Sequence, residues 1–326
     1  MSKHGTFGRS MSRLKSGFDS LRWSDIVGEK KERERLQQEK RKKAIEAFLR
    51  SFEKLKNHPI YLTADDISSL DFIVNIEEFQ LRNDDAIEKN EAEKKSDFFT
   101  PMTKEALVST YEMNLQSKKM ADWYSELQKA TDEGSKILNL MKVKSLDMKP
   151  EIMCSRLRWG VEIVPRMGTE DNSKPLRVVT GWRETFHFNF TPEFVPFVDR
   201  HTLPPYGCQH FWTKKGYPHV KMCMHHGNDK PVKYLLLGEF LTIVATICTR
   251  LIDPALQNHA IVPVMMFSFI APQHGRLILS HFDGNTLFIR MSETLEFSSK
   301  DEEAWETFIR YAAADVNSEA DTSTMA

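Results

Sequence analysis

Six side chains with metal-binding chemistry, Cys208, His210, His219, Cys223, His225 and His226, fall within 19 residues, and His201 lies just before them. Mixtures of thiolate and imidazole hold zinc tetrahedrally, so this stretch is the first place to look for a metal. If each Cys-x-His pair lies on a strand, its two side chains share a face and could reach one ion. The expected ligand set is Cys208, His210, His219, Cys223 and His225, with zinc as the ion. The spacing lacks the Cys-x2-Cys pair that would make the signal strong. An alternative therefore stays open, in which the two cysteines are core residues and the histidines lie on a hydrated loop.

A second chemistry would use carboxylates. Residues 232–314 read as helix, strand, hairpin, helix, the order of elements in the PD-(D/E)XK nuclease fold. That reaction needs an Asp on the second strand and a carboxylate-x-Lys on the third, to hold Mg²⁺ and activate water. Here Asp283 ends the second strand, where turn chemistry already explains it. The third strand, Thr286-Leu-Phe-Ile-Arg290-Met, carries no carboxylate ahead of Arg290. Glu239 on the helix is the only other well-placed acid. The order fits a nuclease-like scaffold, and the residues do not supply its chemistry.

Nucleophilic catalysis has less support. Ser268, His274, His281 and Asp283 are neighbours in sequence and Cys248 lies upstream, but no Gly-x-Ser-x-Gly elbow surrounds Ser268. Neither a phosphate-binding Gly-x4-Gly-Lys loop nor a dinucleotide glycine fingerprint is present.

Charge is distributed unevenly. The net charge of −1 gives no global attraction to nucleic acid or acidic lipid. Residues 1–60 nevertheless carry 16 Lys/Arg against 8 Asp/Glu, and residues 61–100 carry 4 against 11, so the two blocks could pair. The basic run Lys40-Arg41-Lys42-Lys43 could be a nuclear address or a phosphate contact. Glu29, Glu32, Glu34 and Glu39 interleave with its neighbours at helical spacing, which favours a solvated charged helix. Residues 28–47 have no aromatic side chain, which counts against nucleic acid.

The elements that must position these residues read as follows. Residues 1–28 are a basic arm without fixed structure, which imitates a transit peptide only weakly. Residues 29–149 form a mostly helical charged region with a linker at 82–97. It includes a helix opening at Thr100-Pro101, carrying Trp123, Leu127 and Ile137, and closing at Lys149-Pro150. An α+β domain spans 150–314. In it Phe186, Phe188 and Phe190 alternate as in a strand, a buried helix covers 232–252, and Val262–Ile270 is a fully buried strand. Two further strands flank the tight turn Asp283-Gly284-Asn285, and Ser299 with Glu302 makes a capping box for a last helix. Residues 315–326 are expected to be a disordered tail. The apolar stretch Tyr234–Thr249 is too short to span a bilayer and contains Glu239, so it reads as core.

Four stretches, LLLGEFLTIVATICTRL, VPVMMFSFIAPQHGR, HFDGNTLFIRMS and the aromatic closing helix, carry a resemblance to a group of uncharacterised proteins of filamentous fungi. The likeness covers Leu235–Ala312. It implies a fungal source and attaches no activity. The functional expectation is a non-enzymatic accessory or interaction protein, with the charged N-terminal helix as the surface for a protein partner. The alternatives are a metal-dependent enzyme or zinc-stabilised domain, and a degenerate nuclease-like fold. Four dispersed cysteines and no secretory segment suggest the cytoplasm or nucleus.

Overall fold

The apolar run Val264–Ile270 becomes the middle strand of a mixed sheet, and every one of its residues is buried. The computed structural model describes residues 7–58, 61–81, 97–107, 150–162, 174–185, 188–200, 206–227, 233–270, 273–297 and 302–325. In chain order the elements are α1 (Phe7–Leu55), α2 (Ala64–Ser68), β1 (Ile73–Phe79), β2 (Phe99–Thr100), α3 (Pro150–Glu162), α4 (Leu176–Thr180), β3 (Arg183–Thr185), α5 (Val195–Val198) and β4 (Asp199–Arg200). They continue with β5 (Tyr206–Thr213), β6 (Val220–His226), α6 (Leu237–Ile252), β7 (Val264–Ile270), β8 (His274–Phe282), β9 (Thr286–Ser292), β10 (Leu295–Glu296), α7 (Glu302–Ala312) and β11 (Asp315–Val316). The fold is α+β.

The main sheet runs β1-β9-β8-β7-β6-β5-β3, with β10 beside β8 and β4 beside β5. The β1/β9 and β6/β7 ladders are parallel and the other ladders of this sheet are antiparallel. Along β7, Val264 and Met266 enter one core, which holds α6 and the C-terminal half of α1. Met265, Phe267 and Phe269 enter the other, beneath α3 and α7. Period-2 alternation between two covered faces is why the strand is apolar throughout. Helices α6 and α7 lie on opposite faces, and the sheet divides two cores.

The hairpin forms as expected. Asp283 Oδ1 accepts hydrogen bonds from the backbone N–H of Asn285 (2.9 Å) and of Thr286 (2.8 Å), and Gly284 sits at φ 110°. No other residue type takes that conformation without strain. We expect Gly284→Ala to lower the unfolding free energy by about 1 kcal/mol or more, read as an earlier urea midpoint. An unmoved midpoint would show that the turn does not demand glycine.

The N-terminal expectations change most. The stretch read as a separate helical region supplies β1, which pairs in parallel with β9 from Ile73↔Thr286 to Phe79↔Ser292. Helix α1 begins at Phe7, inside the stretch read as an arm. It buries Ala44, Phe48, Phe52 and Leu55 at helical spacing, with Phe48 edge-on to Phe72 and Phe282. Thr100 belongs to β2 and pairs with Asp315 of β11, so it caps no helix. A helical turn starts at Lys104 instead, where Thr103 Oγ1 accepts from Ala106 N–H at 3.1 Å. Pro150 is the first residue of α3, a position that suits its missing N–H, and the helix expected to close at Lys149 lies outside the described residues. Trp123, Leu127, Ile137, Ser299 and residues 82–96 lie outside the described residues, as do Phe186 and His187.

Phe188 and Phe190 form no strand. Their rings pack on Phe211, with centroids 4.8 and 5.6 Å away, so two like residues share a side without a ladder. The expected tail is also placed. Thr322 O accepts from Ala260 N–H (2.7 Å) and Ile261 N–H (3.0 Å), and Met325 is buried. Backbone groups make these bonds, and composition carries no sign of them.

Candidate functional site

The structure disperses the Cys/His cluster. Cys208 packs against the α6-side core, and its thiol donates to Cys223 O at 3.2 Å. Cys223 lies in the opposite core with Cys154. A register shift between Cys208 and Phe211 turns His210 away from Cys208. This bulge breaks the rule that an i, i+2 pair shares a face. His210 Nδ1 lies 3.0 Å from Glu184 Oε1, and His225 Nδ1 lies 3.6 Å from Glu151 Oε1. His219 precedes β6 and packs edge-on to Phe99, with centroids 5.2 Å apart. Six residues of extended chain, about 20 Å, separate it from His225. Zinc bonds of about 2.0–2.3 Å cannot gather such ligands. Among the described residues no three His, Cys, Asp or Glu side chains are grouped as a metal would require. His201 lies outside those residues.

The candidate nucleophiles are equally separated. Burial pushes the Cys248 thiol up to about 12, so it is not a ready thiolate. Ser268 stands opposite Arg276, whereas His274 and His281 occupy the two ends of β8. Ser268 instead donates to Glu239 Oε1 at 2.6 Å.

Glu239, singled out from sequence as a possible metal acid, is clasped. It sits in the first turn of α6, where Oε2 accepts from Leu236 N–H at 2.8 Å. Arg276 donates from Nε to Oε1 (3.0 Å) and from Nη2 to Oε2 (2.5 Å). The pair is almost fully enclosed, at 1% exposure for Arg276 and 0% for Glu239. Burial alone would push this carboxyl upward. The Arg276 charge, the nearby His226 and the hydrogen bonds outweigh it and hold the acid below its ordinary range. Both oxygens are thus committed to protein donors. Asp283 is spent in its turn, and Arg290 pairs with Asp97 at 2.6 Å. These positions present no open carboxylate pair to a cation.

Sequence reasoning missed a second buried network. Glu184 on β3 receives Arg158 Nε (2.6 Å) and His210, while Glu162 at the end of α3 receives Trp212 Nε1 (2.7 Å) and faces Arg177 Nε (2.7 Å). Burial raises Glu162; Glu184 is pushed the same way by burial but drawn below its ordinary value by His210 and Arg158. Oppositely shifted carboxylates can mark an acid–base pair. Here an arginine from the adjoining helices matches each one, so the network ties α3 and α4 to β3 and β5. Its members come from positions 158–212, a separation that leaves no local motif.

Buried Lys221 closes α7 from below. It donates to Ala312 O (2.9 Å) and Ala314 O (2.5 Å), and its Nζ lies 3.9 Å from the Trp182 ring centre. Full burial lowers the Lys221 pKa well below the ordinary lysine range, and an amine that donates to the carbonyl end of a helix over an aromatic face is a structural cap.

Two surfaces remain open. Residues 30–36 of α1 are all exposed, with Glu32–Arg35 (2.7 Å) and Lys30–Glu34 (4.0 Å) pairs along the helix. The basic run is only partly a free surface. Arg41 is buried, donating to the carbonyls of Leu251, Leu256 and His259, and Lys40 reaches Met325 O at 3.1 Å. Part of the expected pairing between basic and acidic blocks is present, as Asp71 meets Arg50 (2.5 Å) and Lys54 (3.0 Å). The second surface is a cleft of about 940 Å³ between α2, β1 and the turn before α6, lined by Tyr61, Ile67, Ile76, Glu78 and Tyr234. It meets a hollow of about 470 Å³ that shares Glu78, Lys233 and Met291.

Compared with known proteins, the chain matches no family pattern, no curated protein and no solved structure. No helix among the described residues is long and apolar enough to cross a membrane.

Proposed function

We propose that this chain is a non-enzymatic accessory or interaction protein that engages a protein partner through the exposed part of α1. The observation that carries this reading is the contrast within one helix. From Arg41 onward α1 is bound into the core, whereas residues 30–36 touch solvent on every side. A helical segment polar on every side but for the exposed Leu36 contributes nothing to a core and is suited to bridging toward another molecule. The buried acids support the same reading, because arginine partners already take their oxygens.

A second reading is favoured by the α6–β7–β8–β9–α7 order. It is a nuclease-like scaffold without a metal site, in which Arg276 stands on the second strand and neutralises the helix carboxylate. Four free thiols support a cytoplasmic or nuclear location.

The test is a chain lacking residues 1–36, which retains Gln37 and Lys40 and their contacts with Met325. A partner identified by cross-linking to the full chain should be lost. Retention of that partner by the shortened chain would refute the role of α1.

A further inference from the structure

Among the described residues β1 is the last strand on its side of the sheet, and β9 is its only pairing partner. An edge strand presents a row of backbone donors and acceptors to any chain that lies beside it. Large apolar side chains accompany this edge into solvent: Ile73 is 57% exposed, and Tyr234, across the cleft, is 72% exposed. The cleft opens along the side of β1 that carries Ile76, so a segment added there would direct alternate side chains into it.

Charge decides between occupants. Glu77 and Glu78 are adjacent and exposed on β1, and Asp65 is exposed on the neighbouring α2. Glu78 has no ion-pair partner among the described residues, and Glu77 accepts only a hydrogen bond from Asn75 Nδ2 at 2.8 Å. The cleft contributes one base, Lys233. A second copy pairing through its own β1 would bring four glutamates into one ladder, where like charges repel. A segment with Lys or Arg flanking apolar residues would meet complementary charge instead.

We infer that the open edge of β1, with its adjoining cleft, binds an extended basic and apolar peptide segment by strand addition. The mode is β-augmentation, in which the main chain supplies affinity and alternate side chains supply selectivity. This site is separate from the exposed part of α1 and stands or falls independently of that helix.

The probe is a fluorescein-labelled peptide, Lys-Ile-Lys-Val-Lys-Ile-Lys, titrated with the full chain and read by fluorescence anisotropy. Its Glu-for-Lys counterpart and a version N-methylated at alternate amides are the comparisons. The basic peptide should bind at least about tenfold more tightly than either, with affinity falling as salt rises. The double substitution Glu77→Lys with Glu78→Lys, at exposed positions that need not disturb the fold, should reverse the preference toward the acidic peptide. Equal binding of both charges, indifference to N-methylation or no binding would overturn the inference. A dimer in light scattering that Ile76→Lys dissociates would also overturn it, by giving the edge to a second copy.

Discussion

Arg276→Ala is expected to lower the unfolding free energy at neutral pH by about 3–5 kcal/mol, the range seen when one member of a buried ion pair is removed. The substitution strips Glu239 of its bidentate partner while leaving it at 0% exposure, with only Ser268 and Leu236 N–H still donating. An unpaired carboxylate in such a place binds a proton to escape the charge. Its pKa should then move from below the ordinary 4.5 to above it, which reverses its contribution to stability. In the natural chain Glu239 contributes stability above pH 4.5 that is lost as pH falls through its lowered value. In the variant the remaining contribution is present at low pH and lost as pH rises through the raised value. The deficit of the variant relative to the natural chain should therefore shrink toward acid pH. The double substitution Arg276→Met with Glu239→Gln should recover part of the loss, since it leaves no buried charge. Urea unfolding followed by circular dichroism at several pH values would check all three statements. A cost under about 1 kcal/mol for Arg276→Ala would mean that the pair does not hold α6 to β8.

Mild acid should destabilise the protein markedly, and buried histidines should be the cause. Burial lowers His219 from an ordinary 6.5 to about 3, and lowers His226 and His281 to about 4. Neighbouring charges adjust these values: Lys221, His259 and Lys214 oppose protonation of His219, whereas Glu239 favours it at His226 and Asp283 at His281. All three groups are more basic in the unfolded chain, so the unfolded state gains protons first. The stability they confer is complete above pH 6.5 and is lost as pH falls toward the folded values. At pH 5 the fully buried His219 and His226 should each cost about 2 kcal/mol, together about 4 kcal/mol, with a smaller share from the half-buried His281, against a usual total of about 5–15 kcal/mol. The melting temperature should thus fall steeply between pH 6.5 and 5, before most carboxylates titrate. His219→Leu removes the largest shift and should move the acid transition to lower pH. A flat melting temperature across that window would contradict the burial of these rings.

Legibility in the sequence followed the range of the interactions. Helix α6, strand β7, the β8–β9 hairpin and α7 were all anticipated near their observed positions, because periodicity, apolar runs and turn residues are local signals. β1 was not. Its partner β9 lies more than two hundred residues away, and the adjacent Glu77 and Glu78 break the alternation that marks a strand, so the segment reads as part of the mostly helical charged region. Helix α1 was legible where Phe48, Phe52 and Leu55 repeat, and its extension back to Phe7 was not. The Cys208/His210 pair misled for a related reason. Strand geometry predicts a shared face, and a single bulge between Cys208 and Phe211 cancels it. Glu239 was recognised as unusual within an apolar helix, but whether an acid there holds a metal or an arginine depends on residue 276, which no local pattern connects to it.

The order of residues alone determined the fold class, the buried strand, the tight turn and the absence of a nuclease carboxylate set on the last strands. These depend on neighbours a few positions apart, whose preferences act before the chain collapses. Tertiary structure decided the rest: that two cores flank the sheet, that the Cys/His residues part company, and that Arg41, Lys221 and Arg276 are buried basic side chains held by carbonyls or a carboxylate. The physical reason is that the cost of burying a charge depends on which distant group meets it, and that meeting exists only once the chain is folded.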